Sequence, residues 1–195
     1  MIGIIPHVVD AYVLEKHGDE ARAVLRERVG LPAGHRFRLN SDYDDALCRA
    51  IVAAAIDLDG GEVGGFLERF ADFFLCWAID EFPGFFQGVT SARQFLLRQP
   101  TIHNCLAAGL LPAQRRAVGD KFVAEATANG LTMTYRSANR LGALYAALVA
   151  RVAERYGEHA EVTVMDGTPD GPFCRFDVVL TPLDVAARRE AVDAG

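Results

Sequence analysis

Apolar residues recur at helical spacing through the first hundred or so residues. Ile4, Ile5, Val8, Val9, Tyr12 and Val13 predict a first helix, and Gly18-Asp19-Glu20 restarts a second that Gly30 ends before Leu31-Pro32. Ser41-x-x-Asp44 has the form of a capping box, and Leu47, Ile51, Val52, Ala55 and Ile56 form an apolar stripe up to the Asp59-Gly60-Gly61 break. From Glu62 a further helix gathers Phe66, Leu67, Phe70, Phe73, Phe74 and Trp77 before Phe82-Pro83-Gly84 interrupts it. Thr90-Ser91 caps the next helix, which carries Phe95 and Leu96 and, beyond Pro100, Ile102, His103 and Leu106.

After Gly119 the period changes to alternation. The segment from Lys121 and the segment Leu131 to Ser137 predict two strands, with Asn129-Gly130 as a type I′ hairpin turn. A helix from about Asn139 to Tyr156 follows, and Glu161–Met165 with Phe173–Leu180 predict a second hairpin across Asp166-Gly-Thr-Pro-Asp-Gly. No linker or repeat divides this order. It predicts one α+β domain over 1–183, an N-terminal helical lobe packed on a C-terminal antiparallel sheet with an inserted helix. The charged, Ala-rich 184–195 reads as a frayed tail.

Composition narrows the function classes. With 51% hydrophobic and 24% charged residues the 195-residue chain can bury a substantial core, and a net charge of -6 without a basic stripe argues against nucleic acid. The apolar start has no positive residue before Lys16, and the central run Ile51–Ile56 is far short of the roughly 20 residues a bilayer requires, so a soluble, cytoplasmic protein without membrane insertion is expected. Cys48, Cys76, Cys105 and Cys174 form no Cys-x-x-Cys pair and read mostly as buried thiols. Cys105 could be redox-sensitive if exposed, and a zinc site from Cys174 and His159 would lack two ligands. Nothing resembles a Gly-x-Ser-x-Gly, a His-Glu-x-x-His or a phosphate loop, so no enzyme is expected.

His103 stands out. An imidazole in this apolar context either makes a core hydrogen bond or ligates a metal through a neutral ring nitrogen. Downstream, Tyr135 and Ser137 stand two apart on a predicted strand, which places two hydroxyls on one face, as buried carboxylates would require. Ordinary strand polarity and plain core packing account for the same residues, so the pattern alone leaves both readings open.

Together the Met-x-Gly-x-Ile start, Glu15-Lys16-x-Gly18, Phe82-Pro83-x-Phe85-Phe86 before Phe95-Leu96, Ile102-His103 and Tyr135-x-Ser137 resemble the heme nitric oxide and oxygen binding (H-NOX) family, related to the sensor domain of soluble guanylate cyclase. The resemblance covers nearly the whole chain. It implies a heme b (iron protoporphyrin IX) between the lobe and the sheet, with His103 as the proximal iron ligand and a Tyr-x-Ser-x-Arg motif on the heme propionates. The chain departs from that motif: Asn139 holds the arginine position and Arg140 follows it. It also places Pro112 only nine residues after His103, closer than the family's usual proline, with Arg115-Arg116 beyond. A heme-free regulatory or protein-interaction module with the same fold is therefore the competing reading.

Where oxygen-binding members carry a tyrosine, a gapless count from Tyr135 falls on Leu144, with Leu148 one turn on, and Tyr145 would point about 100° around the helix. Oxygen on ferrous iron is held by a hydrogen-bond donor, whereas nitric oxide needs none, so an apolar wall of Ile5, Leu144 and Leu148 predicts a sensor that binds nitric oxide, with carbon monoxide as a further ligand, and excludes oxygen. His7 reads as a surface residue of its helix. The resemblance implies a switch in which nitric oxide weakens the bond to His103 and the helix that bears it moves. As the chain ends at Gly195 without an output domain, the expected partner is a separate protein, a histidine kinase or a cyclic-di-GMP enzyme.

Overall fold

A computed structural model describes residues 2–108, 110 and 121–183. The predicted opening pair of helices is one element, α1 (Ile4–Arg28), bent at Gly18, whose φ of 84° and ψ of 179° leave the helical region. Glycine reaches that left-handed φ at no steric cost, which is why the bend falls there. The Arg26 guanidinium clamps the Asp10 carboxylate across the bend with two hydrogen bonds of 2.7 Å, and both side chains are largely buried.

Helix α2 (Asp45–Leu58) begins one residue past Asp44, whose carboxylate accepts from the backbone N–H of Ala46 at 2.6 Å and of Leu47 at 3.3 Å. The cap is thus Asp44 itself and not a box opened by Ser41, because its own oxygen reaches two of the orphan amides of the first turn. Helix α3 (Val63–Glu81) is capped in the same way by Glu62, and Phe82 and Pro83 end it. After the single turn α4 (Pro83–Phe86), α5 (Ala92–Leu97) is capped by Ser91 Oγ, which accepts from Gln94 N at 3.2 Å, and α6 (Gln99–Leu106) carries His103. The predicted single helix over these residues is broken at Arg98, just ahead of Pro100.

Strands β1 (Phe122–Thr127), β2 (Gly130–Arg136), β3 (Glu158–Gly167) and β4 (Phe173–Pro182) form one antiparallel sheet in the order β1-β2-β4-β3, with α7 (Gly142–Arg155) inserted between β2 and β3. Helices on an antiparallel sheet make the predicted α+β fold. The first hairpin turns one residue earlier than predicted: Thr127 pairs with Gly130, leaving Ala128-Asn129 as the loop. Gly130 lacks the positive φ of a type I′ turn; it is in the strand because a Cβ there would lie 1.9 Å from the Val178 carbonyl oxygen of β4. Close approach of two backbones, not turn geometry, requires the glycine.

Two apolar clusters result. One, in the helical lobe, centres on Val8, Val9, Tyr12, Ile51, Phe66 and Phe70 and includes Leu144; the other joins Phe95, Leu96 and Ile102 to Leu131, Met133, Val149 and Phe176 on the sheet side. Tyr12 is held by edge-on contacts with Phe66, Phe70 and Phe73 at centroid distances of 5.5–5.6 Å. Full burial of such a ring contributes about 1.5–3 kcal/mol, so the aromatic run predicted for α3 serves chiefly as core. Helix α7 contacts α3 on one side and β3 on the other, and so belongs to both clusters.

Candidate functional site

The seam between the two clusters is a cavity of about 190 Å³. Its walls come from the start of α1, from α3 to α6, from β1 and β2, and from α7, and nearly all are aliphatic or aromatic. Phe82, Phe85, Phe86, Phe95 and Leu96 of the motif ahead of His103 line it, whereas Pro83 does not.

His103 reaches this space from α6. Among the described residues its ring makes no hydrogen bond; it lies against Phe122 of β1, ring centroids 4.4 Å apart. Burial, aided by the positive charge of Lys121, pushes its pKa down to about 3, so the imidazole is neutral at physiological pH and keeps a nitrogen lone pair. Among the described residues no group of three His, Cys, Asp or Glu side chains could hold a metal ion. His103 therefore cannot bind a bare cation well, but it suits an iron whose other ligands come from a macrocycle. The same observation removes the Cys174–His159 zinc site.

A second group of polar residues gathers at the end of β2. The Tyr135 hydroxyl accepts from Leu141 N at 3.3 Å and hydrogen-bonds Ser137, and burial raises its pKa. Ser137 Oγ accepts from Asn139 N at 3.2 Å. The Asn139 side chain, 3% exposed, satisfies both its ends with its nitrogen toward Asp45 Oδ1 and its oxygen accepting from Lys121 Nζ at 2.9 Å and Ser137 Oγ at 3.1 Å. Lys121 is the neighbour that sequence reasoning missed. Burial lowers its pKa although the Asp45 and Asp42 carboxylates nearby oppose that shift.

The structure brings His103, Tyr135, Asn139, Ile5, Leu144 and Leu148 into the lining of one cavity. Ser137 does not line it; beyond the end of β2 it braces Tyr135 and Asn139 from behind. Arg140 is exposed in the turn before α7 with a φ of 56°, away from the cavity. His7, read from the sequence as a surface residue, is half-buried beside Trp77 and does not line the cavity. Pro112, Arg115 and Arg116, like the tail 184–195, lie outside the described residues. Two of the cysteines, Cys48 and Cys174, are buried, whereas Cys76 and Cys105 are exposed, contrary to the expectation for most of them.

Tyr145 also lines the cavity, and its fully buried hydroxyl has no hydrogen-bond partner among the described residues. Its ring lies between Phe122 at 5.3 Å and Phe176 at 5.6 Å, on the sheet side with His103. Helix α7 presents two adjacent stripes to the space, Leu144 and Leu148, continued by the N-cap Leu141, on one and Tyr145, Val149 and Val152 on the other. A count that followed a single stripe could not find both.

Residues 2–164 match the family model described as haem-NO-binding. The chain belongs to the H-NOX family. That is a family of heme-binding gas-sensor domains, not catalytic ones. Solved H-NOX structures share its fold: an oxygen-binding H-NOX domain related to soluble guanylate cyclases, in its oxygen complex, is 18% identical, with a TM-score of 0.73 over 94% of this chain and 97% of that one. A mutant H-NOX protein from K. algicida, ferrous and unliganded, is 20% identical with a TM-score of 0.68 over 93% and 97%. A mutant of T. Tengcongensis H-NOX is 18% identical with a TM-score of 0.72 over 94% and 100%. A search of curated protein sequences found no match. Among the described residues of this H-NOX chain, no helix is long and apolar enough to cross a membrane.

The donor set fits the cofactor of the family. One neutral imidazole faces an apolar chamber, and hydroxyl, amide and ammonium groups converge at one of its ends, the distribution that a flat apolar ring with a central metal and a carboxylate edge would require.

Proposed function

We propose that the protein is a heme-based gas sensor in which His103 ligates ferrous heme b, the bound iron takes nitric oxide and excludes oxygen, and the response passes to a separate partner. The observation that carries this reading is His103: neutral, without a hydrogen bond among the described residues, without a companion ligand, and facing the cavity. When bound, heme supplies the iron at which the gas is held. Tyr135 and Asn139 line the polar end of the pocket, with Ser137 fixing both through hydrogen bonds.

Selectivity follows from which wall bears a donor. Ile5, Leu144 and Leu148 offer only aliphatic surface, and the Tyr145 ring packs against Phe122, the ring that His103 also abuts. Oxygen would find no hydrogen bond on that aliphatic surface, while nitric oxide, and carbon monoxide with it, would need none. Transmission is local: the His103 ring abuts Phe122 on β1, and α6 packs on that strand, so a displacement of His103 moves the sheet edge. A histidine kinase or a cyclic-di-GMP enzyme is the partner class the family resemblance suggests for that motion.

The test is to titrate the purified chain with heme, reduce it, and record spectra under nitric oxide and in air. Uptake of one equivalent, a Soret shift with nitric oxide and no stable oxygen complex are expected. A stable oxygen complex that Tyr145→Phe abolishes would overturn the selectivity and make Tyr145 the donor. No heme uptake would leave a heme-free regulatory module as the reading.

A further inference from the structure

Lys121 is the only formally charged side chain among the described residues that line the cavity. The Lys121 side chain is half-buried, and an ammonium drawn partly out of water ordinarily pairs with a carboxylate, because desolvation disfavours an uncompensated charge. Here its described hydrogen-bond partner is neutral, the Asn139 amide oxygen at 2.9 Å, and it forms no ion pair with a described carboxylate. Asp45 and Asp42 are near enough to favour its charge, but Asp45 Oδ1 receives the Asn139 amide nitrogen. The ammonium, the Tyr135 hydroxyl and the Asn139 amide converge on the end of an otherwise apolar chamber.

Position 139 is also where the Tyr-x-Ser-x-Arg pattern would place a positive charge, and the asparagine found there is neutral. Lys121, from the segment just ahead of β1, brings a charge to within one hydrogen bond of that side chain. Arg140, next in sequence, points the problem elsewhere, since it is exposed and outside the lining. We infer that Lys121 is an anion-binding residue of the cavity, with its ammonium pairing a carboxylate of the bound cofactor and so supplying the charge that Asn139 lacks. This rests on the heme reading above and assigns a residue to that site.

The experiment compares heme with heme dimethyl ester, whose carboxylates are masked, in wild type, Lys121→Met and Lys121→Arg. Release of each into excess apomyoglobin gives a dissociation rate, and thermal melts of the apo forms report folding. A charge-assisted hydrogen bond predicts that Lys121→Met releases heme roughly ten- to a hundredfold faster than wild type, that Lys121→Arg stays close to wild type, and that the ester leaves all three at one rate. Apo Lys121→Met should melt no lower than wild type, since it removes a half-buried charge that makes no ion pair with a described carboxylate. An equal acceleration with heme and ester, or none with heme, would overturn the assignment while the heme reading stands. Failure of wild type to take up either compound would overturn both.

Discussion

Two polar clusters in this molecule are built alike and finished differently. In the helical lobe, Asp59, whose side chain is 5% exposed, accepts from the Tyr12 hydroxyl at 3.0 Å, is hydrogen-bonded by His17 Nε2 at 2.8 Å, and takes both Nε and Nη2 of Arg69. Every acceptor position is in use. Around the cavity, and among the described residues, His103 has no hydrogen bond, the Tyr145 hydroxyl has no partner, and Lys121 has only a neutral hydrogen-bond partner. A buried polar group left unmatched costs about 1–3 kcal/mol, so a fold retains several in one place only against some return. The closed cluster holds the lobe together, and the unfinished one is shaped for a ligand.

The largest effect expected of this contrast is at the other matched pair of the lobe. Asp10→Ala would strand the Arg26 guanidinium at the α1 bend, and urea melts should show a loss of about 3–5 kcal/mol. A loss near zero would mean that the bend is held by packing alone.

The sharpest version uses one chemical change at two sites. Tyr12→Phe removes a hydroxyl that donates to Asp59 and should cost about 1 kcal/mol, whereas Tyr145→Phe removes one without a partner and should raise apo stability by a similar amount, about 1 kcal/mol. Opposite signs support the division into matched and unmatched clusters; equal losses would erase it.

The smallest effect is on pH dependence. Burial raises the Asp59 pKa, but the hydrogen bonds from Arg69, His17 and Tyr12 outweigh it and hold the carboxyl below its ordinary 3.8. A carboxyl with a lowered folded pKa adds stability that is present above 3.8 and is lost as pH falls through the folded value. Acid melts of wild type should therefore fall more steeply below that point than those of Asp59→Asn, and parallel curves would show that the carboxylate adds nothing.

Much of the framework could be read from the chain because local chemistry dictates it. Gly18 bends α1, Pro83 starts α4, Ser91 caps α5, and the alternation after Gly119 is a sheet. Asn129-Gly130 misled, since the glycine answers to the backbone of β4, a strand more than forty residues away. The site was legible where a residue carries its own signal, as His103 and Tyr135 do. It was not legible at Lys121, whose meaning depends on meeting Asn139 across the fold, nor at Tyr145, because only the packing of α7 between two lobes exposes both of its stripes to one cavity. Ser137 shows the converse: the spacing to Tyr135 suggested a shared face, but the strand ends at Arg136 and the hydroxyl turns to brace its neighbours.

The most direct test of the central claim compares ferrous, heme-loaded wild type with His103→Gly, with and without free imidazole. If His103 is the iron ligand, the variant should lose the wild-type Soret spectrum and regain it when imidazole fills the space left by the ring. A His103→Gly protein whose heme spectrum matches wild type without imidazole would contradict the account, because the iron would then be held by another residue.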